Sequence, residues 1–599
     1  MRNFKQLLNF LKGNRLIYFA AVLSICLSSL FSTTIPVVIR FIIDSVIGTE
    51  PIDLPAWARA IVDFSGGKSY LVRHLWICGA VIVLLTALHG FFLFLKGRLA
   101  AMSSENSGKM LREKLYNHIM HLPYDFHVKN HAGDLIQRCT SDVETVQNFI
   151  SSQFVEIGQS VTSFSLVFVF MLSIDPLYSL VSIVLVPFIL LATVIFFRSM
   201  KKVFKLTDES EGRMTSTLQE SLTGVRVVKA FGAQNFETDK FDEKNVEYRD
   251  YIKKILYLMS NFWSSTDFLC LTQLLVVIIS GVYWTNTGRI TLGTLVAFIS
   301  YAGMLIWPVR QLGQVLAFMG QTFVSLNRIQ EILDHPEEET LESDLRPEIK
   351  GDIEFTGLSF GYDEKNLILK DLSFKIQRGQ TVAVLGATGS GKSSIVHLLT
   401  RLYDYKKGSI KIDGTELSNI DRKWLRKNVG IVLQEPFLFS KSIKENIRFG
   451  KTNATDDEIH TSSSIAAIHE AIQHFDNGYD TIVGERGVTL SGGQRQRIAI
   501  ARAVIRDVPI LIFDDSLSAV DMETDAFIRK ALKKRSRHTT TIIISHRITT
   551  LAEADIILVL ENGQIKQKGT HNELIAKNGL YRRVWELQSS LENELENIV

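Results

Sequence analysis

Cysteine is scarce. The four in 599 residues are Cys26, Cys78, Cys139 and Cys270, and they lack metal-ligand spacing. A disulfide framework is not expected, and three of the four lie in apolar stretches that suit packed thiols. Charge imbalance is lacking too. The 66 Lys and Arg residues face 63 Asp and Glu, a net charge of +3, so no global basic field points to nucleic acid. The opening segment, MRNFKQLLNFLKGNR, reads as a short amphipathic helix without the small-residue cleavage site of a removable signal peptide. Apolar residues are abundant, at 46% of a chain too long for a single core, so at least two domains are expected.

Six stretches of about bilayer length carry at most one charge: 17–39, 75–95, 157–174, 176–197, 255–284 and 290–309. Roughly 20 residues at about 1.5 Å rise span the ~30 Å hydrocarbon core, whereas helices of a soluble core are shorter and amphipathic. Only Asp175 separates the third and fourth, which predicts a tight hairpin. Segments 96–153 and 198–254 are rich in Lys and Arg, while the connections at 48–72, 174–176 and 285–289 carry few. The positive-inside rule then places both basic segments, both termini and everything after 310 in the cytoplasm. The basic segments read as long helical hairpins, with turns at 124–130 and 231–236, where helix periodicity lapses. The outer loop 48–70, with Trp57, reads equally as an interfacial helix or as an ordinary loop.

Residues 331–350 are polar and acidic, a linker between a transmembrane domain at 1–330 and a soluble domain at 351–599. In the latter, short apolar runs alternate with helical stretches, as in an α/β domain. VAVLGATGSGKSS contains G-x-x-x-x-G-K-[ST]: Gly386, Ala387, Thr388, Gly389, Ser390, Gly391, Lys392 and Ser393, followed by Ser394. Such a loop between strand and helix converges backbone N–H groups on phosphate oxygens. Lys392 would reach the β- and γ-phosphates, and Ser393 would ligate Mg²⁺. PILIFDD reads as a strand of the same sheet ending in paired carboxylates, with Asp514 toward Mg²⁺ and Asp515 toward the attacking water. TLSGGQRQR opens another helix at Ser491, Gly492, Gly493 and Gln494, a second anion-binding helix start.

With these motifs in order, the sequence resembles the ATP-binding cassette (ABC) family, in the layout of an exporter half-transporter. The resemblance spans the chain and implies a membrane α-helical bundle, six transmembrane helices with long cytoplasmic extensions, joined to a cytoplasmic α/β P-loop NTPase domain. It implies ATP and Mg²⁺ as ligands. Tyr362 matches the aromatic that stacks on adenine. Gln434 matches the glutamine of the loop joining the two subdomains, placed beside catalysis and metal. His546 matches the switch histidine at the γ-phosphate. VGERG (483–487) resembles the extra loop of exporters, and Asp521 closes the dimer-contact loop. The hairpin tips match coupling helices. In this family two cassettes pair head to tail, so Ser491–Gln494 of one chain would complete the site of another.

Most members carry glutamate after the magnesium aspartate. Asp515 is one methylene shorter, and DDSLSAVD resembles one half of the heterodimeric bacterial multidrug exporters. The resemblance thus implies a hydrolysis-impaired own site. It also implies a different partner chain with a catalytic glutamate and a degenerate signature. Retention of His546 departs from some such halves, and a homodimer with two slow sites is the competing reading. The expected activity is ATP-driven export of amphipathic small molecules across the cytoplasmic membrane. Lipid or peptide translocation and a non-transport ATPase or sensor are the alternatives. Membrane lipid and an amphipathic substrate are the expected contacts. Asp267, an acid inside a span, is a candidate for a cationic substrate or a partner-helix polar group. His89, Gln159 and Gln273 are weaker candidates for polar contacts. The closing segment LYRRVWELQSSLENELENIV reads as an exposed charged helix.

Overall fold

Apolar segments in a bilayer must satisfy their backbone groups internally, and the expected spans are helical apart from a break in the fourth. The computed structural model describes residues 13–52, 59, 62, 67–338, 345–363, 366–484, 487, 489–535 and 538–596. Trp57 and the opening segment before Gly13 lie outside them. The chain divides into two units: Met1–Leu122 with Asn130–Pro336, and Pro123–Lys129 with Glu337–Val599.

The first unit is helical. Helix α1 (Arg15–Phe41) continues into a π-helical turn, Ile42–Ile47. Helix α2 (Leu75–His121) has 47 residues, which at about 1.5 Å each is over twice the hydrocarbon thickness, so it carries a long extension. The short α3 (Tyr124–Lys129) follows an extended Leu122 and belongs to the second unit. Then come α4 (Phe154–Ile174), α5 (Val186–Thr223), α6 (Val225–Ala230), α7 (Gln234–Asn286) and α8 (Leu292–Asp334). Among the described residues, five helical stretches are long and apolar enough to cross a membrane, and the sixth expected span begins as the apolar Leu292–Leu305.

Asp175 makes the expected hairpin: its backbone is extended, its carboxylate accepts from Tyr178 N at 2.9 Å, and Pro176 occupies the first turn. The fourth span is not continuous as expected. Helix Pro176–Val181 stops, residues 182–185 form turns, and α5 restarts with Pro187 in its first turn. Proline has no N–H and its ring clashes with the preceding helical turn. Gln273 repairs the break, accepting from Leu185 N (2.8 Å) and donating to Val181 O (3.1 Å). This gives Gln273 a structural role, since unpaired backbone groups in lipid are costly. Around it, Tyr178 is stacked on Phe298 at 4.1 Å and donates to Val277 O at 2.7 Å, and Tyr301 donates to Thr33 O at 2.8 Å. In the second basic hairpin the turn falls at Phe231–Ala233, where Gly232 has φ +61°.

The second unit has two sheets. Strands β1 (Ile353–Phe360), β2 (Leu369–Ile376), β4 (Lys407–Ile412) and β5 (Thr415–Glu416) form an antiparallel sheet ordered β2-β1-β4-β5. Strands β3 (Thr381–Gly386), β6 (Val429–Val432), β7 (Ile510–Asp514), β8 (Thr540–Ile544), β9 (Ile556–Glu561) and β10 (Gln564–Gly569) form the other, ordered β10-β9-β3-β8-β7-β6. Its inner pairs are parallel and only the β9–β10 edge is antiparallel. Strand β7 is buried at all five positions, as a parallel strand covered on both faces should be. The closing segment corrects expectation. It forms helix Leu580–Glu596, but Tyr581 is fully buried among Ile557, Val559 and Leu574, with Val584 and Trp585 alongside. Apolar residues at 581, 584 and 585 make a helical stripe within a charged sequence.

Candidate functional site

Sheet order assembles the site. Strands β3, β8 and β7 are neighbours running the same way, so the segments leaving their C-terminal ends converge. After β3 the chain turns through 387–391 into helix α9 (Lys392–Leu399). Gly391 adopts φ +101°, and a Cβ there would sit 2.5 Å from Leu369 Cδ2, so glycine is required. Strand β7 delivers Asp514 and then Asp515, and β8 leads through Ser545 to His546.

A cavity of about 310 Å³ joins Thr388, Gly389, Gly391, Lys392, Ser393 and Ser394 to Tyr362, Gln434, Asp514, Asp515 and His546. Gly386, Ala387 and Ser390 complete the loop without lining it. Ser393 Oγ donates to Asp514 Oδ1 at 3.2 Å. Lys392 Nζ donates to the carbonyls of Gly386 (2.7 Å) and Ala387 (2.9 Å). Asp515 holds φ +46°, a left-handed conformation that aspartate tolerates better than most residues, and its N–H donates to Ile544 O at 2.9 Å. Its Oδ1 and the hydroxyl of Ser390 are buried without a hydrogen-bond partner.

Burial pushes the Asp514 carboxyl above the usual carboxylate range, against the pull of Ser393, His397 and Lys392. Burial likewise raises Asp515, opposed by His546, Lys392 and Arg547. Burial lowers the Lys392 ammonium, which both aspartates counteract. Two adjacent desolvated carboxylates, an orphaned carboxylate oxygen and a hydroxyl at 3.2 Å from Asp514 are the donor set of a hard divalent cation beside a polyphosphate. The residues present therefore fit Mg²⁺.

Two aromatic groups beyond the sequence motifs hold Tyr362. Its hydroxyl lies 3.1 Å from Ser394 Oγ and 2.8 Å from His397 Nδ1, and its ring meets Tyr403 edge-on at 4.8 Å. Tyr124 of α3 also meets the Tyr403 ring edge-on, at 5.7 Å. The tip of the first basic hairpin thus packs, within this unit, one ring away from the expected adenine platform. His397 follows Ser393 by one helical turn, the only local hint of its place. Gln588, in the closing helix, has no such hint. It donates to His546 O and accepts from Ile548 N, both at 2.8 Å.

Ser491, Gly492, Gly493 and Gln494 do not line the cavity. Ser491 caps helix α10 (Gly492–Val504) in a capping box with Gln494, with bonds of 3.3 Å and 2.9 Å. Asp521 accepts from Thr524 N at 2.8 Å and so caps helix α11 (Met522–Arg535). Of the VGERG loop, 485 and 486 lie outside the described residues, and Gly487 O accepts from Arg495 at 3.3 Å.

The family model of the ABC transporter transmembrane region matches residues 17–309, and the ABC transporter family model matches 369–518. The chain is 33% identical to the uncharacterized ABC transporter ATP-binding protein YknU of Bacillus subtilis, over 98% of each chain. It is 36% identical to YgaD of the same organism, named as a candidate multidrug export ATP-binding/permease protein, over 80% of this chain and 83% of that one. The solved structure of a bacterial Atm1-family ABC exporter with ATP bound superposes with a TM-score of 0.81 and 27% identity, covering 96% of this chain and 99% of the other.

Proposed function

The chain belongs to the ABC transporter family, a multi-pass membrane protein carrying an ATP-binding domain of an ATPase coupled to transport, and from that premise we propose what it moves and how it is assembled. It exports amphipathic small molecules across the cytoplasmic membrane, with both termini and the ATP-binding domain in the cytoplasm. YgaD, a relative over four-fifths of the chain, is named for multidrug export. The working unit is a dimer, because the cavity gathers the phosphate loop, Asp514, Asp515 and His546 but not Ser491–Gln494, which cap an exposed helix start elsewhere. That separation is the observation that carries the reading: one chain holds two half-sites and no whole one.

In the complete site Tyr362 stacks on adenine, and the N–H groups from Gly386 to Ser394 and the Lys392 ammonium hold the phosphates. Ser393, Asp514 and Gln434 would hold Mg²⁺, which neutralises phosphate charge when bound. Gly492, Gly493, Ser491 and Gln494 of one chain present donors to the γ-phosphate held by the other. His546 orients toward the γ-phosphate, and Asp515 takes the position of the base for water. An aspartate there falls short by roughly 1.5 Å, and about 1 Å of misplacement costs on the order of a hundredfold. The own site therefore binds ATP and hydrolyses it slowly, and the partner is a different chain with glutamate at that position and an altered signature. ATP-dependent accumulation of Hoechst 33342 in inside-out vesicles tests export. Accumulation with the co-expressed partner and none from this chain alone is expected. Robust export by this chain alone, abolished by Asp515→Asn, overturns the asymmetric reading.

A further inference from the structure

A second cavity, also of about 310 Å³, lies within the helical unit, walled by α1, α2, α4 and α8. Its walls combine charged and polar side chains with apolar ones. Lys96 of α2 donates to Gln159 Oε1 of α4 at 2.8 Å, and Glu156, on the same helix as Gln159, lines the cavity with them. One helical stretch further along, Ser28 Oγ lies 2.9 Å from His89 Nδ1, and Ser29 Oγ lies 3.0 Å from Ser163 Oγ. His89 precedes Lys96 by seven residues, and Ser163 follows Glu156 by seven, so both pairs are offset by roughly 10 Å along their helices. The charged pair marks one end of the chamber and the hydroxyl and imidazole groups the other, with Val167 and Met304 adding apolar wall.

Bracing alone does not account for this arrangement. Charged side chains inside a membrane bundle are costly, and they mark substrate or ion pathways. Here an open volume remains between them, equal to about ten waters at ~30 Å³ each. An ammonium has three donors, and among the described bonds Lys96 gives one to Gln159. Asp267, the acid singled out from sequence, is exposed on α7 and does not line the chamber. The cavity therefore offers a cation and an anion together, not an anion alone.

We infer that this chamber binds a zwitterionic head group, its carboxylate or phosphate meeting Lys96 and its ammonium meeting Glu156, with an apolar body along Val167 and Met304. The inference rests on the export reading and names the substrate class for it. A cation without an anionic group forgoes the contact with Lys96, and an anion without an ammonium forgoes the contact with Glu156.

Three probes share one fluorophore: Nε-dansyl-lysine (zwitterion), dansylcadaverine (the amine alone) and N-dansylglycine (the carboxylate alone). Each is titrated by fluorescence against the full-length chain, with its co-expressed partner, in lipid nanodiscs. Dansyl-lysine should bind about tenfold more tightly than either of the others, the scale of one charge-assisted hydrogen bond. Lys96→Met should shift the preference to dansylcadaverine, and Glu156→Gln to dansylglycine. Lys96→Glu with Glu156→Lys should keep dansyl-lysine preferred. Retained ATP binding shows that each variant is folded, and the wild-type ranking needs no variant. Weaker dansyl-lysine binding when phosphatidylethanolamine replaces phosphatidylglycerol assigns the chamber to a zwitterionic lipid head, and equal binding assigns it to a solute. Equal affinities for the three probes, or tightest binding of dansylcadaverine unaffected by Lys96→Met, overturn the inference. Hoechst accumulation in inside-out vesicles is read in parallel. Accumulation without probe discrimination leaves export standing and removes the chamber, whereas discrimination without any accumulation removes export and leaves the chamber.

Discussion

Replacing Asp515 by glutamate isolates the length of one side chain. Its backbone is anchored by the bond from its N–H to Ile544 O at 2.9 Å, so the added methylene extends the carboxylate without moving its root. The extension is roughly 1.5 Å, and a shortfall of about 1 Å costs on the order of a hundredfold, so the own-site rate should rise by about tenfold to a hundredfold. The cost lies in the backbone. At φ +46° aspartate is better tolerated than glutamate, and a left-handed residue costs roughly 1–2 kcal/mol. A destabilisation of about 1 kcal/mol lowers Tm by about 2–4 °C in a domain of this size. The signature of the substitution is therefore faster hydrolysis in a slightly less stable protein. Phosphate release is followed in nanodiscs under single-turnover conditions for wild type, Asp515→Glu, Asp515→Asn and the Asp515→Glu, His546→Ala double variant. The double variant should fall back to the wild-type rate or below. A wild-type chain turning over near 10 per second, an ordinary enzymatic rate, would refute the premise of a slow site. An Asp515→Glu rate unchanged at equal ATP affinity would refute the length argument.

Glu338 supplies a pH prediction. Burial pushes its carboxyl up, but hydrogen bonds and charge from Arg426 (2.7 and 2.8 Å) and Arg422 (3.3 Å) together outweigh it and hold the group below its ordinary value of 4.5. A carboxyl with a depressed folded pKa contributes stability that is full above the unfolded value and lost as pH falls through the folded one. Glu338→Gln should thus cost about 1 kcal/mol at pH 7 and nothing measurable near pH 2, read by fluorescence of the neighbouring Trp424 during thermal unfolding. Gln588→Ala removes both bonds to the His546 segment and should lower kcat severalfold while leaving the affinity for a fluorescent ATP analogue unchanged; an equal loss of affinity would mark it as merely structural. Gly391→Ala places a Cβ 2.5 Å from Leu369 Cδ2 at a positive φ and should abolish ATP-analogue binding with a Tm drop of several degrees, about 2–4 °C per kcal/mol. Gln273→Ala strands Leu185 N and Val181 O and should cost about 1–3 kcal/mol of stability in detergent unfolding, with ATP binding intact.

What the chain could say on its own was local. The phosphate loop from Gly386 to Ser393, the carboxylates ending PILIFDD, the SGGQ helix start and the apolar runs are contiguous patterns. Each needs only neighbouring residues to bend backbone, aim N–H groups or exclude water. Asp175 between two apolar runs was enough to imply the hairpin, because a lone acid before a proline is a ready N-cap. The shortness of Asp515 was also visible as a residue type. Features set by partners far along the chain were not legible. The parallel order β3-β8-β7 brings Gly391, His546 and Asp515 to one cavity, and no local pattern states that order. The break at 182–185 was hidden because a hydropathy run does not reveal a helix interruption that a glutamine 88 residues away makes tolerable. The closing helix read as solvated because its charges outnumber its apolar stripe, yet Tyr581 is buried and Gln588 reaches the His546 backbone. The chamber of Lys96, Glu156 and Gln159 joins residues that sequence scattered over separate helices, and only packing turned a basic residue beyond one span and an acid before another into a single polar wall. Sequence determined which segments are helical, apolar or phosphate-binding, because those properties follow from neighbours. Tertiary structure decided which of their side chains share a space, because that depends on contacts closed across hundreds of residues.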